Sequence, residues 1–177
     1  MSEILPEGRH KVYLVKLCRI TAEEAQKQRE SNTYAFKDKF GKSLPNCVYK
    51  VGITKFKDAE SRISFDGDNE HPIRNTFEVL QYQRSIQVEN KNIALKLEKY
   101  IMDTVFKARA QILAREGHYV EHAFHNWFEP NKVDGITEMR RWNKAEVDLV
   151  RKILDQFDYS NSLFSIEESV RFLDEHA

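Results

Sequence analysis

An α+β domain, built on a small and mainly antiparallel three-stranded sheet flanked by helices, is what this 177-residue sequence predicts. Three stretches of β-branched and aromatic residues alternate with a period of two. One long segment between the third stretch and Gly117 repeats apolar residues every four positions. The hydrophobic fraction, 41% against 32% charged, is enough for a packed core and too high for a largely disordered chain.

The first strand is expected at 11–18, KVYLVKLC, with Val12 and Leu14 on one face and Tyr13, Val15 and Leu17 on the other. The segment TAEEAQKQRE that follows has Thr21 and Glu24 at capping-box spacing, so a short polar helix begins there. It opens an insertion, 19–46, that ends as a loop with Gly41 and Pro45. The second strand is CVYKVGIT at 47–54, and DAESRISF then predicts a two-turn helix from Asp58, closed at Gly67. TFEVLQYQRS at 76–85 is the third strand, with Phe77 and Val79 on one face and Leu80 and Tyr82 on the other. A helix from about Val88 to Leu113 carries the stripe Ile93, Leu97, Ile101 and Val105 and stops at Gly117. HNWFEP reads as a short extended piece. Asn143 with Glu146, and Ser165 with Glu168, then cap helices near 144–157 and 165–175. The expected organisation is a domain over 8–135 and a helical C-terminal extension over 136–177.

Composition removes several classes of protein. Six glycines and four prolines exclude a collagenous or linker-like chain, and no apolar run approaches the eighteen residues of a membrane span. The opening MSEILPEGRH lacks a secretory signal pattern, and two cysteines are too few for a disulfide scaffold, so a cytoplasmic setting is expected. The net charge is zero but unevenly spread. Residues 1–65 hold 13 basic and 8 acidic side chains, and residues 143–177 hold 4 and 8. That asymmetry permits a basic face for an anionic partner in the N-terminal half.

Glu98 is the most unusual acid, because Ala94, Leu95, Ile101 and Met102, its helical neighbours, are all apolar. Asp103 is its contrast, with Lys99 and Lys107 four residues to either side. A carboxylate at the edge of a buried stripe needs a cation or hydrogen-bond donors, or else reaches out to water, and both readings are open. Gly52 inside a strand pattern marks either a close approach or a bulge. Arg62 is free for an anion or pairs with Asp58 and Asp66 at four residues either side. His118, His122 and His125 are close together, but no CxxC or HExxH spacing supports a zinc site. Cys18 and Cys47 fall on strands expected to pair and read as free thiols.

In order along the chain come VYL, YKVGIT, an arginine in the next helix, ALKLEKYI and NWF. This ordered set resembles the GIY-YIG endonuclease superfamily, in its compact phage and bacterial branch with a YKIG or YKVG second motif. The resemblance covers about residues 10–130, interrupted by the insertion. It implies a metal-dependent phosphodiesterase that nicks or cleaves DNA with Mg²⁺ or Mn²⁺. Tyr13 matches the tyrosine of the first motif, Gly52 the glycine of the second, Arg62 the phosphate-contacting arginine and Glu98 the metal-holding carboxylate. Asn126 takes the place of a downstream polar residue. The chain departs from the family where Lys50 replaces the second tyrosine, with Tyr49 adjacent on the opposite face, and where Arg62 lies ten residues past Gly52.

The chemistry suits those residue types. One carboxylate leaves a hard cation open positions for water and phosphate, an arginine fork fits phosphate oxygens, and Tyr13 with Lys50 can manage the attacking water. Lys55, Lys57 and Arg74 are candidates for DNA-backbone contacts beside the motif. Two other readings stay open: a catalytically inactive relative that binds nucleic acid or protein, and a partner or self-association surface on the acidic C-terminal helices. Ile153, Phe157, Phe164 and Phe172 would either cover the sheet or form that interface.

Overall fold

The computed structural model describes residues 3–19, 47–55, 57, 77–117, 139–140 and 142–177, with backbone alone at 18, 19, 47, 77–82 and 139. The fold is α+β. Strands β1 (His10–Arg19), β2 (Cys47–Thr54) and β3 (Phe77–Val88) form an antiparallel sheet, extended by the two-residue β4 (Met139–Arg140). The spatial order is β3-β1-β2-β4, so the first strand is central. Helix α1 (Lys91–Arg115) follows β3 directly, and α2 (Lys144–Ser160) and α3 (Ile166–Glu175) close the chain.

Alternation along β1 sorts its side chains as the sequence predicts. Val12 and Leu14 join Val51, Ile86 and Val88 in one buried cluster with α1, α2 and α3. Tyr13, Val15 and Leu17 are buried too, but on the opposite face, with Val48. β3 has twelve residues where β1 has ten, and the surplus is taken up by register shifts opposite Leu14/Val15 and Lys16/Leu17. These leave Gln83 and Leu80 outside the one-to-one pairing. The strict alternation assumed for 77–82 from sequence is therefore interrupted within the strand itself.

The helices start where their caps require. Asn90 accepts from the Ile93 amide, and Asn143 and Ser165 each form a full capping box with Glu146 and Glu168. α1 ends at Glu116, and Gly117 takes a φ of 81°, a conformation that costs glycine little. Its buried side is broader than the four-residue stripe: Ala94, Leu97, Ile101, Thr104, Val105, Ala108 and Ile112.

α2 and α3 belong to this same core. Ala145, Val147, Leu149, Val150, Ile153 and Leu154 of α2, with Phe164 and Leu173, complete the cluster begun by Val12 and Leu14. Polar ties reinforce the packing. Arg84 of β3, paired with Leu14 and hence on the helical face, donates from Nε to Asp155 at 2.7 Å and from Nη2 to Asp158 at 3.0 Å. Tyr100 donates its hydroxyl to the Phe164 carbonyl. Arg115 grips Asp174 with two bonds of 2.6 and 3.0 Å. The extension expected from residue 136 therefore has no separate core among the described residues.

Candidate functional site

β1 and β2 pair so that Tyr13 lies directly opposite Gly52. A Cβ placed on Gly52 would fall 2.5 Å from Tyr13 Cζ and closer still to the hydroxyl oxygen. No real Cβ sits there, so the hydroxyl end of the Tyr13 ring occupies the space over Gly52 and the missing side chain is what seats it. The close approach expected at this glycine is thus made by a neighbouring side chain, and β2 runs through Gly52 in unbroken register with β1.

Lys50 lies two residues before Gly52 and therefore on the Tyr13 face, opposite Val15. It is 7% exposed, and Tyr13 only 1%. A lysine so buried needs partners for its ammonium, and Tyr13, Lys50 and Glu98 each have interaction partners of their own. Thr54, also buried, continues the row. Tyr49 points the other way, as alternation requires. There it packs at the edge of the core and carries the Lys16 ammonium 5.8 Å from its ring centroid, within cation–π range.

Glu98 is half-buried on α1, between buried Ala94 and Ile101 and partly exposed Leu95 and Met102. It lies at the edge of the stripe, where the spacing predicts it, whereas Asp103, Lys99 and Lys107 are fully on the solvent side. α1 packs on the sheet face formed by Val12, Leu14 and Val51. The structure thus brings Tyr13, Gly52 and Lys50 together on one face and seats the helix of Glu98 against the other. Its carboxylate is a hard oxygen donor of the kind a divalent cation takes. Among the described residues no three His, Cys, Asp or Glu converge, and a single-carboxylate site would need no such group.

The other expected contacts divide in two. Lys55 and Lys57 are exposed beyond the end of β2, where the chain pairs with the N-terminal segment: Leu5 N donates to Lys55 O and Lys57 N to Glu3 O, both at 2.8 Å. The Lys57 ammonium is already bound to the Glu3 carboxylate at 2.6 Å, which holds that carboxyl below its usual range. Arg62, Arg74 and Asn126 lie outside the described residues. So do His118, His122, His125, the helix expected at 58–66 and the insertion from 20 to 46. The backbone pairs Cys18 with Cys47, as expected for neighbouring strands.

A further feature has no signature in the sequence. A groove of about 640 Å³ opens between the end of β3, the first turns of α1 and the end of α2. Val88, Ile93, Leu97, Tyr100, Phe157 and Leu163 give it an apolar lining, and Arg9, Lys96, Glu89 and Asp158 add charge. Its lining joins the β3–α1 junction to Arg9 and to residues 157–163, which are distant in sequence, so no local motif could announce it. Glu98 is on the other flank of α1, roughly 140° around the helix from Ile93.

No protein-family model, no curated protein and no solved structure matches this chain.

Proposed function

We propose that this protein is a metal-dependent DNA endonuclease of the GIY-YIG type, hydrolysing phosphodiester bonds with Mg²⁺ or Mn²⁺. The observation that carries the reading is the pairing of Tyr13 with Gly52. Two motif residues 39 positions apart in sequence meet side chain to backbone, with the cation Lys50 on the same face. Mere strand-forming composition does not require a tyrosine to be seated on a glycine.

On this reading the Tyr13 phenolate orients the attacking water and accepts its proton beside the Lys50 ammonium, with the ring held in one position by the Gly52 backbone. Arg62 engages the scissile phosphate through its planar fork. Glu98 holds the divalent ion, which when bound supplies charge neutralisation for the developing oxyanion. Supercoiled plasmid incubated with the protein and Mg²⁺ or Mn²⁺ is expected to be nicked. Glu98→Ala should lower the rate at least about 100-fold, the scale on which one charge-stabilising group acts. Equal nicking by wild type and variant would take Glu98 out of the mechanism.

A specific observation favours a second reading, a DNA-binding module of the same scaffold that does not cut. Lys50 stands where the family has its second tyrosine, and α1 packs against the sheet face opposite Tyr13. Binding that persists in EDTA, with no cleavage of supercoiled, linear or single-stranded DNA, would select it.

A further inference from the structure

The charges of α1 are sorted by direction. Its arginines are paired with acids of the later helices: Arg109 approaches Glu146 at 3.6 Å and Arg115 chelates Asp174. Three of its four lysines lie on another flank. Lys96, Lys99 and Lys107 are all exposed and none forms an ion pair among the described residues, although Asp103 lies four residues from both Lys99 and Lys107. At 100° and 1.5 Å per residue the three fall within an arc of roughly 80° and extend over about 16 Å of helix. Arg9, from a different element and also unpaired among the described residues, lines the same groove as Lys96. Asp158 of that groove is committed to Arg84, which leaves Glu89 as the acid of its lining with no ion pair among the described residues.

We propose that this face, Arg9 with Lys96, Lys99 and Lys107, is where the protein tracks the phosphate backbone of duplex DNA. The inference rests on the reading of the protein as acting on DNA, and it names a surface that reading did not include. Long, unpaired lysines in a row suit sequence-independent phosphate contact, because each can release a condensed counterion without giving up an intramolecular partner. Glu146 of α2 and Asp174 of α3 pair with the arginines of α1 and not with these lysines. Asp103, within the arc, opposes the surface and thereby supplies a test in the direction of gain.

Binding of the full chain to a 30-base-pair duplex is measured in EDTA by fluorescence anisotropy across a salt series. Replacing Lys96, Lys99 and Lys107 together by Gln should weaken binding about tenfold or more at the lowest salt. It should also flatten the log–log salt slope by about 3, close to one for each phosphate that is no longer neutralised. Asp103→Asn should tighten binding. All four positions are exposed, so the helical circular dichroism should stay at the wild-type value. Unchanged affinity and slope in both variants, while wild-type protein still binds and nicks, would overturn this surface and leave the nuclease reading standing. A wild-type protein that neither binds nor nicks DNA would overturn both.

Discussion

At Gly52 the difference between a hydrogen and a methyl decides how two strands pack. The Tyr13 ring occupies the volume a Cβ would need, and the backbone of β1 cannot retreat because β3 holds its other edge. Gly52→Ala is therefore expected to destabilise the protein by about 1–3 kcal/mol, the usual penalty for an extra methyl in a filled interior. The penalty should fall sharply when Tyr13 is replaced by Leu, because the two changes share one space. Tyr13→Phe should relieve it only in part, since Cζ stays 2.5 Å from the new carbon. Urea unfolding of the single and double variants measures the coupling, and strictly additive effects would show that the ring does not depend on the glycine.

The caps show how an element can carry an internal conflict. Glu146 completes the capping box of α2, yet it is largely buried, and desolvation raises its carboxyl above the ordinary value despite Arg109 nearby. Such a group costs the fold nothing while both states are protonated. As pH rises from the ordinary Glu value near 4.3 through the raised folded value, the folded state keeps the proton that the unfolded state has released, so stability falls. Glu146→Gln keeps an acceptor for the Asn143 amide and removes the charge. Relative to wild type, this variant should gain stability in urea midpoints as pH rises from the ordinary Glu value through the raised folded one, and hold that gain above it. A gain that shrinks with pH would mean that the Arg109 attraction outweighs burial.

For the whole molecule, the last two helices decide whether the sheet has an inside. Val147, Leu149, Val150, Ile153, Leu154 and Leu173 are all nearly or wholly buried against residues of β1, β3 and α1. At about 1.5–3 kcal/mol for each large side chain, their removal is comparable with the total stability of a domain, about 5–15 kcal/mol. A chain ending at residue 135 is expected to show no cooperative unfolding transition by circular dichroism. A sharp transition for that fragment would make the helices an appendage after all.

Much of this was legible in the residues themselves. Period-two alternation placed β2 at 47–54, the N-cap pairs placed α2 and α3, and the apolar flank of Glu98 placed it at the stripe's edge, because each depends on a few adjacent side chains and their local geometry. Extra residues in β3 were not legible, since a bulge exists only relative to a partner strand. Nor was the fate of Arg84, which looks like a stray charge in a strand until two aspartates of α2 receive it. The sequence by itself determined the α+β class, the strands and helices and the meeting of a tyrosine strand with a glycine strand. Tertiary structure alone decided that Tyr13 and Lys50 share a face, that the helix of Glu98 packs on the other, and that the final helices complete the core. Local pattern sets what each segment is; only the packing of distant segments sets which of their surfaces are left to meet water or a ligand.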